Sequence, residues 1–567
     1  MVMSEGGRLV ARTLHELGVT DIFSLAGGHI NPVFKACPDF GIRIIDTRHE
    51  QGASMAADAY GRAGRRPGVC LVTAGPGFTN TLTGMAASRL ANSPLLVISG
   101  RSGVEENDRL SLQEIDQEGM AAHVAKWAKT VYDTRRIPEY VSNAFRVASS
   151  GRPGPVYLGM SYEVLYPSCP EEEIIPYDTS IHSVRTRPAE DAVAGLARLL
   201  ASAQRPVAIA GSGAWYSRSE EDIRRFLHAA PMPLFTLNAG RGIIPDGEPL
   251  SFGAAGPSAP NGFREITQSA DLVILMGIRL SIYIGFGRTL NPEARIAQID
   301  IDAGEIGRNR PVDLGIVSDL GGALSAVTEY LNENGIKPDY SGWVNECEAI
   351  RDKRRKESGP LRLPKKSPMH PVTVAVVVED VLGPGGTLVV DGGDTQAWVD
   401  GHIRVRRPGG YIKCGPLGCM GVGVPFALGA KAARPDENVA LITGDGAAGM
   451  NFMEFDTALR HGLPFVAVVC NDAAWGMTKH QIEITYGEGA KAPGVELGLT
   501  PFHEILKAMG GHGEFVQKPE DLAPALDRAF SSGKPALVNV VSDPGAVSGA
   551  TRVITEMMMS ANKRQAF

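Results

Sequence analysis

Two aspartates pose the first question. In VALITGDGAAGMNFMEFDTALRHGLPFVAVVCNDAAWG, Asp445 and Asp472 stand 27 residues apart, each just after a run rich in β-branched residues, Val439–Thr443 and Phe465–Cys470. That spacing fits one strand–helix–strand crossover, with its helix over Met453–Arg460 and a tight turn at Gly444-Asp445-Gly446. Both carboxylates would then lie at the C-terminal ends of neighbouring parallel strands, where open α/β sheets bind ligands. Hard oxygen donors beside glycines, which let backbone N–H groups approach phosphates, suit a small divalent cation bridging a diphosphate. The turn by itself is weak evidence; turn, crossover and the Asn471-Asp472 pair together are specific. Nearer the start, Glu50 in IIDTRHEQGASMAADAYGRAG follows the run Ile42–Ile45 and precedes a small-residue helix over Gly52–Ala63. A glutamate so placed either serves the helix dipole or does proton chemistry.

The elements that must position these groups repeat one pattern along 567 residues. A helix over Arg8–Leu17 leads to short apolar runs at Asp21–Leu25, Val69–Val72 and Pro94–Ile98, with a helix at Thr81–Ala91 and a further strand in GRPGPVYLGM. A linker rich in Pro, Glu and Ser covers Tyr166–Pro188. Strands follow at Val207–Ala210, Leu234–Leu237, Leu272–Met276 and Ile296–Ile301. The charged stretch Glu346–Lys366 predicts a solvated helix and a second linker, and strands at Thr387–Val390 and Ala536–Val541 flank the aspartate crossover. Such alternation predicts parallel sheets covered on both faces. A hydrophobic content of 43%, a charged content of 21% and a net charge of −7 are those of a soluble globular protein without nucleic-acid partners. Seven scattered cysteines with no CxxC pair argue for a reducing compartment. With neither a signal-like start nor an apolar stretch near the ~20 residues of a membrane span, the expectation is a cytoplasmic enzyme.

The Gly444–Asp472 segment resembles the pyrophosphate-binding motif of thiamine-diphosphate enzymes, which begins with Gly-Asp-Gly and ends with Asn-Asn. The resemblance implies that Asp445, residue 472 and the backbone carbonyl of Ala474 ligate magnesium, with Gly444 and Gly446 near the diphosphate. The chain departs from the family at Asp472, where the usual residue is Asn; a second carboxylate strengthens cation binding but adds negative charge facing the diphosphate. By the same resemblance, and with the downstream AGPGFTN turn, Glu50 hydrogen-bonds the aminopyrimidine N1′ and promotes proton loss from thiazolium C2. For that its carboxyl must hold or share a proton, which desolvation favours. In KCGPLGCMGVGVPFALGA, Met420 takes the place of the bulky apolar residue under the cofactor's bend, and the Gly418 backbone receives the 4′-amino group. Thr395 is a further cofactor contact on this reading. The fold implied is three doubly wound parallel-sheet α/β domains: pyrimidine-binding over 1–185, central over 186–345, and pyrophosphate-binding with a C-terminal tail over 346–567. The family pairs Glu50 of one subunit with Asp445 of another, which implies a homodimer or homotetramer with the site at the subunit interface.

Three branches of that family fit: acetolactate synthase, benzaldehyde lyase and the CoA-thioester enzymes such as 2-hydroxyacyl-CoA lyase. His29, in SLAGGHINPVF, resembles the lyases, since acetolactate synthases place small apolar residues there; an imidazole suits removal of the substrate hydroxyl proton. A histidine capping the next segment is the plainer alternative. Gln113, in LSLQEIDQEGM, matches a glutamine common to all branches that orients the substrate oxygen. Gln481 stands where acetolactate synthase carries the tryptophan that selects its second 2-oxo acid. Met477, His480, Gln481 and Glu483 are candidates for the pocket wall, or else ordinary helix positions. Ser548-Gly549 and the basic Lys563 and Arg564 are similar to tails that close over CoA thioesters, or form a frayed terminus. The central domain would hold FAD, ADP or neither, with Gly211, Gly213, Asp300 and Asp302 as candidates. The expectation is a lyase or carboligase acting on an aldehyde, 2-hydroxy ketone or 2-hydroxyacyl-CoA. Acetolactate-type decarboxylation of a 2-oxo acid, and a non-catalytic nucleotide-binding or regulatory protein on this scaffold, are the alternatives.

Overall fold

The apolar runs pair as three six-stranded sheets in which every neighbouring pair is parallel. The structure, a computed structural model, describes residues 2–180, 185–256, 259–362 and 367–564, with side chains as far as residue 559. The first sheet runs in the order Arg43–Asp46, Asp21–Ser24, Gly68–Val72, Leu95–Arg101, Pro155–Ser161, Trp127–Val131. The central sheet runs Ser251–Ala254, Leu234–Thr236, Pro206–Ala210, Leu272–Met276, Arg295–Asp300, Leu314–Val317. The third runs Tyr411–Lys413, Thr387–Val390, Val439–Gly444, Val466–Asn471, Ala536–Val541, His512–Val516. Inner strands such as Leu272–Met276 and Val466–Asn471 are buried at every residue, the mark of a sheet covered on both faces.

Each sheet is wound outward from a switch point where successive connections leave in opposite directions. In the first sheet this lies between Asp21–Ser24 and Gly68–Val72, and in the third between Thr387–Val390 and Val439–Gly444. A crevice at the C-terminal ends of such strands is the site this topology offers a ligand. In the central sheet the switch point falls between Pro206–Ala210 and Leu272–Met276. There the Gly211 and Gly213 N–H groups donate to the carbonyls of Met276 and Gly277, each at 3.0 Å. Those two donors are spent inside the protein rather than held open for a phosphate.

By internal packing the chain divides into two compact units. One comprises residues 1–184, 414–436 and 451–464: the first sheet together with the later helices Gly423–Ala433 and Glu454–Arg460. The other comprises residues 185–413, 437–450 and 465–567, and holds the central and third sheets. Two expectations about connections change. The stretch from Tyr166 is not all linker: Ser168–Pro170 forms a short antiparallel pair with Met3–Glu5, which ties down the N-terminus. The charged helix begins earlier, at Ser341, because Trp343 and Cys347 bury on the central core before its charged remainder turns to solvent.

The small-residue helix predicted near Glu50 spans Glu50–Gly64 and is buried along almost its whole length. Its glycines and alanines let the Gly423–Ala433 helix approach to backbone contact: a Cβ on Gly429 would come within 2.0 Å of the Ala56 carbonyl oxygen. Arg62 closes the far end of the same contact, donating to Asp58 at 2.9 Å and to the Cys414 carbonyl at 3.1 Å. Its guanidinium lies 4.8 Å from the centre of the Phe426 ring. Gly429→Ala is therefore expected to destabilise this unit by about 1–3 kcal/mol through overpacking. Urea unfolding followed by fluorescence would show a lower midpoint for the first transition.

Candidate functional site

The two aspartates lie where the crossover predicted, at the third sheet's switch point and on the next strand. Gly444 is the last residue of its strand, and helix Asp445–Met450 starts at the very next position, so the expected turn is a direct strand-to-helix junction. Asp445 is only 5% exposed. Its Oδ1 accepts the Gly446 N–H at 2.8 Å, while the buried Oδ2 has no hydrogen-bond partner. Burial first, and the Asp472 carboxylate second, push the Asp445 pKa up; burial does the same to Asp472. An orphaned carboxylate oxygen beside a second acid is the electrostatic setting that recruits a cation or a proton. Among the described residues no cluster of three or more His, Cys, Asp or Glu gathers as a metal cage. Two carboxylates fit a magnesium ion whose remaining ligands would be carbonyl, phosphate and water oxygens.

Glycines shape this place by what they leave out. A Cβ on Gly476 would meet Asp472 Oδ2 at 2.5 Å, and one on Gly446 would meet the Trp475 ring at 2.5 Å. Gly446 thus makes room for an indole, and its N–H is already given to Asp445. Asn471 braces the strand end, donating to the Thr500 carbonyl and to Asn539 Oδ1, both at 3.1 Å. Ala473 takes a left-handed φ of 59°, and the Ala474 N–H donates to Asp472 Oδ1 at 3.3 Å. Thr395, buried on helix Asp394–His402, brings its hydroxyl to 3.4 Å from where a Gly444 side chain would be.

On the helix Gly476–Tyr486, Met477 packs over Gly393, while Gln481 and Glu483 are half-buried. His480, expected on the pocket wall, is 2% exposed and has both ring nitrogens committed inside the protein. Nδ1 bonds Asp394 Oδ2 at 2.6 Å and Nε2 bonds the Pro544 carbonyl at 2.9 Å. With an acceptor on each nitrogen, both must carry hydrogen. Burial works against that charge, but the bonds to Asp394 and Pro544 outweigh it and raise the His480 pKa. For Asp394, burial is outweighed by bonds from His480, Ser548 and Thr551, and its pKa falls. Ser548 and Thr551 lead into the final helix, Gly549–Arg564, so this clamp ties the tail to the two helices carrying Thr395 and Met477. Nothing in the sequence flagged Asp394 or Thr551. Lys563 and Arg564, expected to face phosphates, have side chains outside the described residues.

The remaining candidates lie in the first unit. Glu50 is the first residue of its helix, capped by His49, and is 8% exposed. Its Oε2 accepts from Asn80 Nδ2 at 2.9 Å, at the end of the AGPGFTN turn. His29 and Thr73 follow the two strands that flank the first sheet's switch point, and His29 Nδ1 lies 3.0 Å from Thr73 Oγ1. Partial burial lowers the His29 pKa, opposed by Glu106. Gln113 is half-buried with φ of 63°, and it covers Gly75, where a Cβ would meet the Gln113 Cβ at 2.8 Å and its backbone at 2.9 Å. The residue that fixes this stack is one the sequence reading passed over: buried Gln117. It accepts the Gly75 N–H at 2.8 Å and donates to Gly100 O at 2.9 Å and Tyr157 OH at 2.8 Å. It opens helix Gln117–Ala122, and no local spacing marks it out in the sequence. Gly418 has φ of 68° with open space around its Cα, and Met420 is half-buried two residues on.

Comparison with known proteins gives the family to which these three sheets belong. Three family models match in chain order: the N-terminal TPP-binding domain of thiamine pyrophosphate enzymes over residues 4–120, their central domain over 193–327, and their C-terminal TPP-binding domain over 391–540. The chain belongs to the thiamine pyrophosphate enzyme family. Among its relatives, the acetolactate synthase large subunit of Mycobacterium tuberculosis is 35% identical over 541 residues, covering 95% of this chain and 96% of that one. The 2-hydroxyacyl-CoA lyase 2 of Danio rerio is 30% identical over 580 residues, covering 94% and 91%. Acetolactate synthase isozyme 2 of Escherichia coli is 32% identical over 550 residues, covering 95% of each.

The clamp on the tail has a defined pH window. His480 with a raised pKa contributes stability at acid and neutral pH that is lost as pH rises through that value, above about 6.5. Asp394 with a lowered pKa contributes stability that is lost as pH falls through its value, below about 4. Between these limits the final helix should resist proteolysis; at alkaline pH, or in His480→Ala at any pH, cleavage near residue 549 should accelerate. Limited proteolysis with mass-spectrometric site mapping reads this directly.

Proposed function

We propose that this chain is a thiamine-diphosphate- and magnesium-dependent carbon–carbon lyase or carboligase. Its substrates on this reading are 2-hydroxy ketones or 2-hydroxyacyl-CoA thioesters, with an aldehyde as the product of cleavage or the acceptor in ligation. When bound, thiamine diphosphate supplies a thiazolium carbon able to carry an acyl-anion equivalent. Asp445, Asp472 and the Ala474 carbonyl would hold magnesium, and Thr395, Gly444, Gly418 and Met420 would contact the cofactor. Glu50, buried and fixed by Asn80, would hold the proton at the aminopyrimidine N1′. Support for magnesium comes from the orphaned Asp445 Oδ2 and its acidic neighbour.

The lyase assignment rests on one observation, the His29–Thr73 pair at the switch point of the first sheet. With Nδ1 on Thr73 and its pKa lowered, His29 is neutral at physiological pH, and Nε2 is free to take the substrate hydroxyl proton as the C–C bond breaks. Gln113 would orient the same oxygen. A second reading, decarboxylation of pyruvate followed by ligation, is favoured by the near full-length likeness to acetolactate synthases. Family likeness supports a homodimer or homotetramer. The scattered cysteines, with no CxxC pair in the sequence, support a cytoplasmic location on this reading. No helix among the described residues is long and apolar enough to cross a membrane.

Substrate trials separate the two readings. The protein with thiamine diphosphate and magnesium should cleave a 2-hydroxyacyl-CoA or an aromatic 2-hydroxy ketone and release an aldehyde. Rapid CO2 release and acetolactate formation from pyruvate would overturn the lyase reading. His29→Ala should lose about 10²-fold in lyase kcat/KM. In the unmodified protein the rate should fall as pH drops through the depressed His29 pKa, below about 6.5; a profile flat through that range would remove His29 from proton transfer.

A further inference from the structure

Resting on the reading of Glu50 as the group that activates the cofactor, we propose that Glu454 is a positioning residue that fixes the backbone from which Glu50 projects. Glu454 opens the helix Glu454–Arg460 and is 1% exposed. Its Oε1 accepts the Arg48 and His49 N–H groups, both at 3.2 Å, and its Oε2 accepts Arg48 N–H at 3.2 Å and the Thr457 hydroxyl at 2.7 Å. These amides belong to the two residues just before Glu50. N–H groups entering a helix have no partner within it, so a buried carboxylate there fixes the φ and ψ of the approach. The room for that carboxylate is made by Gly52, where a Cβ would meet Glu454 Oε1 at 2.3 Å.

The same helix grips the other end of the segment. Arg460 reaches Asp46 Oδ2 and the Asp46 carbonyl, each at 2.6 Å, and His461 Nε2 reaches Asp46 Oδ1 at 2.7 Å. Thr47 adds a bond to the Ser24 carbonyl at 3.1 Å. The four residues from Asp46 to His49 are thus held at both ends, and Glu50 follows with its Cα–Cβ direction set. Its carboxylate needs only Asn80 to complete the aim. Glu454 touches neither cofactor nor substrate on this account; it acts through the peptide groups of residues 48 and 49.

The test is amide hydrogen exchange on the cofactor-free protein, paired with the exchange rate of the C2 proton of bound thiamine diphosphate. Glu454→Gln keeps the volume but turns an N–H donor toward the backbone amides. It should speed exchange at Arg48 and His49 by about tenfold or more, and slow C2 exchange by a similar factor, with cofactor affinity changed less than about threefold. Gly52→Ala, which displaces the carboxylate without removing it, should do the same and serves if Glu454→Gln fails to fold. Protection at residues 48 and 49 that persists in both variants, or is lost without change in C2 exchange, overturns the proposal. Glu50→Gln is the separate control: unchanged C2 exchange there refutes the reading of Glu50, while the amide result still reports on Glu454.

Discussion

Asp445 and Asp472 are two buried or half-buried carboxylates at the ends of adjacent parallel strands, and a protein interior does not favour that arrangement by itself. Each is pushed toward its protonated form by burial, and the repulsion between them adds to the effect. A cation would resolve the conflict, as proposed above, and the local structure leaves room beside the pair. Gly476 leaves room for Asp472, the left-handed Ala473 follows it, and Asn471 is braced on Thr500 and Asn539. The strand passes into helix Asp445–Met450 without a loop, which holds Asp445 at the sheet's end. A neutral amide in place of Asp472 would remove the like-charge repulsion on Asp445 altogether.

The carboxyl proposed to handle the proton, Glu50, is held away from water, and the first unit does this by close packing. Glycine and alanine along Glu50–Gly64 let the Gly423–Ala433 helix approach to backbone contact, so Glu50 begins a helix with almost no freedom to shift. At the switch point of the same sheet, His29, Thr73, Gly75 and Gln113 are stacked and locked by Gln117. In the second unit the Asp394–His480 clamp does for the tail what Gln117 does for this turn. A buried polar group with all its partners satisfied fixes one conformation.

The inner strands of all three sheets were legible because they are continuous apolar runs, and the alternation with helices gave the fold class. Five edge strands were not: Trp127–Val131, Ser251–Ala254, Leu314–Val317, Tyr411–Lys413 and His512–Val516. Sequences such as WAKTV and HGEFV mix polarity because an edge strand has one neighbour and need not bury both faces. The places of Asp445, Asp472 and Glu50 were legible because each directly follows an apolar run or opens a small-residue helix. Glu454, Gln117 and Asp394 were not, because their roles are hydrogen bonds to distant backbone and side chains, which no local spacing encodes. His480 illustrates the converse: a wall candidate by the resemblance of its segment, or else an ordinary helix position, it sits inside a clamp whose partners lie 86 and 64 residues away.

On the proposed reading, this buried acidic pair holds a divalent cation for the diphosphate of thiamine diphosphate. Isothermal titration of thiamine diphosphate into chelator-treated protein, with and without magnesium, tests it most directly. Binding should require magnesium and be abolished in Asp445→Asn despite an unchanged fold by circular dichroism. Binding of equal strength without any divalent cation, or unaltered by Asp445→Asn, would contradict it.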